Sequence, residues 1–335
     1  MSVTIKDIAR LAGVSHTTVS RALNDSPLIT EETKERIRTI AAELDYSPNF
    51  SAKSLVLDRS YNLGLFFTTL SQGTSAGFFY EAIRGVNSVI QDRYQLIVKG
   101  IDDYTSFHGI TRKSFDGIIV VSQSEEDQPF IEHAAAKGIP LVVLNRPVET
   151  AGVLNVLSDE EQGAFHAASF LIEQGHRQIA LIEGRAGFQS AQDRKNGFER
   201  AMKHHNVDVK PGSRYPGLYD LESGYLAMRQ FLQLPTSMRP TAVFSCNDEM
   251  ALGAMKAISE AGMQVPRDIS VIGFDDTVFA AYVNPALTTV RRPIEQISKV
   301  GAMRLLGNIE NKQHQTEQVR IKTELIIRES VQKLT

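Results

Sequence analysis

From Asn62 onward the chain alternates between short apolar runs and amphipathic stretches at helical spacing, and this alternation limits its fold more than any other feature of the sequence. Asn62–Phe67, Gln95–Val98, Gly117–Val121, Leu141–Leu144, Gln178–Ile182, Ala242–Ser245 and Ser270–Gly273 read as strands. Between most of them lie helical stretches, Phe79–Asp92, Gln162–Glu173, Gln192–His204, Ser223–Phe231 and Glu249–Ala261. Strand and helix in alternation imply parallel sheets with helices on both faces. Such sheets bind ligands at the carboxyl ends of their strands. Two successive sheets of this kind predict two lobes with a cleft between them.

The first 46 residues have a different texture. Thr4 is placed to cap a helix whose Ile5, Ile8, Ala9 and Ala12 fall at helical spacing. Gly13 ends it in a tight turn. Ser15 caps a second helix, Ser15–Leu23, with Val19 and Leu23 facing inward, and Asn24-Asp25-Ser26-Pro27 signals a turn. Thr30 caps a third, with Glu31 and Glu32 in its first turn, where the helix dipole favours acid. Ile37, Ile40, Ala41 and Leu44 supply its apolar face. Two helices joined by a short glycine turn form a helix-turn-helix pattern. Residues 47–60, SPNFSAKSLVLDRS, carry a proline and then a short helix, Asn49–Leu57, and read as a hinge.

Composition removes several classes of protein. At 335 residues the chain has room for two or three units, and 42% apolar with 22% charged residues excludes general disorder. No run of about 18 apolar residues exists, so no transmembrane helix is expected. The N-terminus has no charged segment followed by an apolar run, so no secretory signal is expected and the chain should stay in the cytoplasm. The one cysteine, Cys246, excludes a disulfide scaffold and a cysteine-built zinc site. Residues 1–60 hold eight basic and eight acidic groups, and the rest of the chain carries the net charge of -3. If the first segment binds DNA, it does so by shape and placement rather than by bulk charge.

The run IKDIARLAGVSHTTVSRALN closely resembles the N-terminal headpiece of the LacI/GalR family of bacterial transcription regulators. ELDYSPNFSAKSL is similar to that family's hinge helix, and SCNDEMALGAM, ISVIGFDD and NPALTTVRRPIEQI are similar to its core signatures, in the expected order. The resemblance covers nearly the whole chain and rests on several independent motifs. It implies an all-α helix-turn-helix headpiece (residues 1–46), a hinge (47–60) and two doubly wound parallel-sheet lobes forming a periplasmic-binding-protein-like core. In that fold the chain crosses between lobes three times, here near Asp159–Gly163, Thr288–Arg292 and Val319–Thr323. The first lobe would then hold residues 61–160 and 290–320, and the second 161–289 and 321–335.

The resemblance also implies function and site residues. It points to a homodimeric repressor of a carbohydrate-utilisation operon that binds a pseudo-palindromic double-stranded operator and answers to an inducer or corepressor. Neither a cofactor nor a membrane is implied. Ser15, His16 and Thr17 open the recognition helix, with Arg21 one turn on, and Thr18, Ser20, Thr4 and Asn24 complete the headpiece set facing DNA. Ser and Thr hydroxyls meet base edges or phosphate, and an arginine fork suits guanine. In the hinge, Asn49, Ala52 and Leu55 share one face, Leu55 matches the family's minor-groove lever, and Lys53 reaches toward phosphate. For the effector the matching positions are Phe78, Phe79, Asn145, Arg194, Tyr219, Asn247 and Asp275, aromatic walls and polar groups suited to a sugar. Asp248 is placed to cap the helix that follows. Arginine forks suit carboxylates, so Arg194 with Arg185 and Arg146 points to a sugar acid such as a uronate. One departure stands out: between Gly100 and Phe115 the chain is too short for the usual helix, which predicts a shortened or irregular element.

Two other classes of protein fit parts of the sequence. Gly73-Thr74-Ser75-Ala76-Gly77 fits the G-x-S-x-G nucleophile elbow of esterases. The elbow needs a sharp strand-to-helix turn, whereas this one starts well after Phe67, and no histidine sits in a partner context. A transport-type sugar-binding protein would suit the cleft but not the headpiece. No Walker-type phosphate loop and no metal-ligand spacing occur.

Overall fold

A computed structural model describes residues 3–23, 26–46, 59–71, 74–311 and 318–334. The chain divides into two compact units, Met1–Asp58 and Arg59–Thr335.

Among its described residues the first unit contains three helices, α1 (Ile5–Ala12), α2 (His16–Leu23) and α3 (Glu31–Glu43). Ile8, Val19, Ala22 and Ile37 are fully buried where the three meet. The Asp7 carboxylate accepts hydrogen bonds from the Thr4 backbone N–H (3.0 Å) and hydroxyl (2.7 Å), closing the first turn of α1. Gly13 ends α1 at φ 63°, in the left-handed region where a side chain is strained. Arg36 then ties α3 to the end of α1 by donating to the Ala12 carbonyl (2.7 Å).

The second unit holds two six-stranded sheets. The first contains β1 (Asn62–Phe67), β2 (Gln95–Gly100), β3 (Gly117–Val121), β4 (Leu141–Leu144), β5 (Leu154–Ser158) and β11 (Gln318–Ile321), all parallel, in the order β11-β5-β4-β3-β1-β2. The second contains β6 (Ile179–Ile182), β7 (Arg214–Tyr215), β8 (Ala242–Ser245), β9 (Ser270–Asp275), β10 (Thr288–Arg291) and β12 (Glu324–Ile326), in the order β12-β10-β9-β8-β6-β7. Among the described residues only the edge strand β12 runs antiparallel, against β10. The chain passes between sheets after β5, after β10 and between β11 and β12. Arg291 still pairs with Asp275, so the second passage falls at Arg292 and Pro293. Asp116 anchors the start of this unit, accepting from the Ser60 N–H and hydroxyl and from the Tyr61 N–H.

Helices α4 (Ala76–Ile90), α5 (Gln128–Ala136), α6 (Glu160–Glu173), α7 (Gln189–His204), α8 (Leu221–Gln233), α9 (Asp248–Glu260) and α10 (Ile294–Asn311) cover the sheets. Glycines set how closely they pair. A Cβ on Gly197 of α7 would collide with the Glu161 carbonyl of α6, and one on Gly85 of α4 with the Glu295 carbonyl of α10. Gly224 and Gly253 bring α8 and α9 together in the same way, against Met250 and Leu221 backbone. Between β2 and β3 no helix forms, as the short spacing predicts; turns there bury Ile101, Ile110 and Phe115 instead, and Phe107 packs edge-on against Phe130 of α5. Among the described residues no helix is long and apolar enough to cross a membrane.

Candidate functional site

Two surfaces carry the residues singled out in the sequence. On the headpiece, Val19 and Ala22 of α2 are buried, which turns the opposite face outward. His16, Thr17 and Arg21 are exposed there, and Ser20 is half-buried on the same side. Ser15 is the cap of α2: its Oγ accepts from the Thr18 N–H (3.1 Å) and shares a hydrogen bond with the Thr18 hydroxyl (2.9 Å). Thr4 is likewise engaged with Asp7. The structural role of these three hydroxyls is therefore visible, while His16, Thr17 and Arg21 are exposed on the outward face. Asn24, Asn49, Ala52, Lys53 and Leu55 lie outside the described residues.

In the second unit, loops at the carboxyl ends of the strands converge on one cavity lined by Ser75, Phe78, Gln123, Ser190, Arg194, Tyr219, Asn247, Asp275 and Arg292. Its centre is a buried ion cluster. Arg194 of α7 is 1% exposed and its Nε donates to Glu160 Oε2 (2.7 Å), Nη1 to the Cys246 carbonyl and Nη2 to Asp275 Oδ1 (3.2 Å). Its guanidinium also stacks on Phe274, 3.8 Å from the ring centroid. Arg292 lies on the other side of Glu160, with Nε 2.6 Å from Oε1. Burial works against the charge on Glu160, but the two arginines outweigh it and hold its carboxyl below the ordinary range. Asp275 has fewer cationic neighbours at hydrogen-bond distance, and burial raises its carboxyl despite them. The Cys246 thiol, buried behind Arg194, is pushed up to about 12 and is inert.

Tyr219 forms one wall. Its hydroxyl bonds Ser190 Oγ (3.0 Å), and it fits because Gly184 beside it has no Cβ. Tyr219, Asn145 and Asp275 have φ of 68°, 71° and 112°, a strained region for non-glycine residues. The lobes meet across the cleft: the Gln189 N–H donates to the Gln123 carbonyl (2.9 Å), beside an antiparallel bridge between Ser124 and Phe188. The space enclosed is about 20 Å³, room for a water molecule but not for a sugar ring.

Five of the seven expected effector residues thus come together: Phe78, Arg194, Tyr219, Asn247 and Asp275. Two do not line this cavity. Phe79 is turned about 100° around α4 from Phe78, and its ring packs on Phe67 at 5.1 Å, at the edge of the first-lobe core. Asn145 lines a neighbouring cavity with Ser158, Asp193 and Arg320. Asn247, not Asp248, caps α9, through Oδ1 to the Met250 N–H (2.9 Å); Asp248 turns inward to the Thr289 hydroxyl and the Thr277 N–H. Ser75 caps α4 by accepting from the Phe78 N–H, eight residues beyond the end of β1, so it sits on no nucleophile elbow. Sequence reasoning missed Gln123, Ser190 and Arg292. Arg292 alone carried a signal, a second arginine in VRRP at a lobe crossing.

A second, wider opening beside the ion cluster is lined by Glu81, Asp275, Arg292 and Glu295. Burial and Asp275 push the Glu81 carboxyl up to about 7, with Glu295 adding to this and Arg84 and Arg292 opposing it. The folded protein therefore holds this proton more tightly than the unfolded chain. Stability should fall as pH rises from about 4.5, the ordinary value, to about 7, and level off above. Calorimetric unfolding across pH 4–8 should show a shallower fall in Glu81→Gln; an unchanged slope would assign the effect to another group.

A helix-turn-helix unit followed by two parallel-sheet lobes around a polar cleft is the architecture of a DNA-binding transcription regulator. Residues 4–49 match the bacterial regulatory proteins of the lacI family, and residues 168–331 match the periplasmic binding protein-like domain. The probable HTH-type transcriptional repressor ExuR of Bacillus subtilis (strain 168) is 49% identical over 333 residues, covering 99% of both chains. The crystal structure of the lac repressor dimer bound to operator and the anti-inducer ONPF is similar at TM-score 0.81 and 27% identity, over 99% of this chain and 100% of that one. The transcriptional regulator CelR–cellobiose complex is similar at TM-score 0.73 and 27% identity, over 98% and 99%. The chain belongs to the LacI family and is a DNA-binding transcriptional repressor.

Proposed function

We propose that this repressor acts as a homodimer on a pseudo-palindromic operator of a carbohydrate-utilisation operon, and that a sugar or sugar acid in the lobe cleft controls it. The observation that carries the reading is the cavity at the strand ends, where aromatic walls from Phe78 and Tyr219 flank the polar groups of Arg292, Asp275, Ser190 and Gln123. A similar protein is described in complex with cellobiose, and another as a dimer on operator. The second lobe exposes Val278, Phe279 and Tyr282 on one short turn, an apolar surface suited to a second copy.

Because the cavity between Phe78 and Tyr219 is too small for a sugar ring, an effector seated between those walls has to part the lobes, so occupancy and lobe arrangement are linked. A change in lobe arrangement alters the spacing of two hinges and with it the fit to symmetric half-sites. Couplings of this kind are about 1–3 kcal/mol, so effector should change operator affinity roughly 5- to 150-fold. Binding-site selection with purified protein should return two-fold symmetric sequences. Arg21→Ala should weaken the selected operator by about 1–3 kcal/mol if Arg21 reads a base. His16 substitutions should change the preferred sequence more than total affinity. Asymmetric or sequence-neutral DNA from the selection would overturn the reading.

A further inference from the structure

The three arginines that the sequence offers for an anionic effector are in large part committed elsewhere. Arg194 uses Nε and both terminal nitrogens on Glu160, Cys246 and Asp275. Arg146 donates to Ser122 Oγ and Gln128 Oε1, and Arg185 lies over the Phe188 ring; neither lines the cavity. Arg292 is different. It is 6% exposed, and its guanidinium is held from behind: Nε meets Glu160 Oε1 and lies 3.3 Å from Ser158 Oγ, while the Phe78 ring covers one face at 5.0 Å. Its Nη1 and Nη2 make no hydrogen bond to any described residue, and Asp275 Oδ1 is 3.8 Å from Nη1. A buried arginine, fixed at its stem, thus presents two parallel N–H donors without acceptors to the cavity.

We propose that the terminal edge of Arg292 is the carboxylate-binding element of the cleft, and that the effector is accordingly a sugar acid; this rests on the reading of the cleft as a carbohydrate site. The reason is geometric. A carboxylate supplies two coplanar acceptors that match the fork, whereas a hydroxyl supplies a single acceptor atom. The charges of Arg194, Arg292, Glu160 and Asp275 cancel, so net charge does not draw in an anion. What favours one is the pair of donors that lack acceptors, and these belong to Arg292. Asp275 Oδ2 accepts no hydrogen bond from described residues and is free to take a ligand hydroxyl. Orientation follows: the acid end at the lobe crossing, the hydroxyls toward the second lobe.

The test is calorimetric titration of the full-length protein with D-glucuronate, D-galacturonate and D-gluconate, beside D-glucose and D-galactose. At least one acid should bind at least about 10-fold tighter than its neutral counterpart. Arg292→Gln should cost that acid at least about 10-fold, and Arg292→Lys, which keeps the charge but not the fork, should cost less but measurably. If Arg292→Gln does not fold, Arg292→Lys and the acid-to-sugar ratio of the unaltered protein decide. A neutral sugar binding as tightly as its acid, or full acid affinity in the Arg292 variants, would overturn the assignment while leaving the carbohydrate reading intact. Binding of none of the five would overturn both.

Discussion

Arg194→Met should destabilise the effector core by about 3–5 kcal/mol, well beyond the loss of one contact, because it leaves the buried Glu160 and Asp275 carboxylates with Arg292 as their one arginine and so one negative charge uncompensated. Glu160 is 3% exposed and its two oxygens are held by the Nε atoms of Arg194 and Arg292. Losing Arg194 also frees the Cys246 carbonyl and Asp275 Oδ1 and removes the stack on Phe274. The residue thus holds the second lobe together at the floor of the cleft, and loss of effector response in this variant would follow from that. Glu160→Gln in the Arg194→Met background should recover part of the loss, since the stranded charge is gone. Differential scanning calorimetry of the four proteins in this cycle measures it. A single mutant as stable as the parent, or strictly additive effects, would show that the cluster is not coupled.

Gly253→Leu should cost about 3 kcal/mol or more, at the upper end of overpacking effects, because the obstacle is backbone. Its Cβ would meet the Leu221 carbonyl and the Tyr225 N–H of the neighbouring helix, so no rotamer relieves the clash and α8 must move off α9. Gly307 of α10 gives the opposite sign. Nothing lies within 4 Å of a Cβ there, so Gly307→Ala should stabilise by about 0.5–1 kcal/mol through helix propensity alone. Chemical denaturation of both variants checks the pair. Similar values of like sign would mean that local propensity, not helix approach, governs both sites.

The helix starts show where local signals suffice and where they mislead. Sequence periodicity places α7 from Gln192 and α4 from Phe79, whereas the helices begin at Gln189 and Ala76. Apolar spacing detects the face that packs, and the first turn is often polar, so it goes unseen until its cap is found. Ser75 is that cap for α4 and also lines the cavity, whereas α7 starts after Phe188 with no side-chain cap to mark it. Strands β5, β7, β10, β11 and β12 lie outside the expected set; β7, β11 and β12 are two- to four-residue edge strands with partly exposed, mixed patterns, and β5 and β10 are buried runs of only four or five residues. Helices α5 and α10 also lie outside the expected set; QPFIEHAAA of α5 is too short to show a clear period.

Local sequence pattern alone yields the helix-turn-helix unit and the alternation that gives two parallel-sheet lobes, and the family resemblance adds the positions Phe78, Arg194, Tyr219, Asn247 and Asp275. These are legible because helix and strand periods act over a few neighbouring residues and because a motif is contiguous. Tertiary packing was needed to place Phe79 against Phe67 at the edge of the first-lobe core, Asn145 in a different cavity, Arg194 as a strut, and Arg292 as the arginine with an open edge. The cavity draws Gln123, Ser190 and Arg292 from the loop after β3, from α7 and from the passage after β10. Which of them meet is set by strand order and by the points where the chain changes sheets, and no local period in the sequence encodes that.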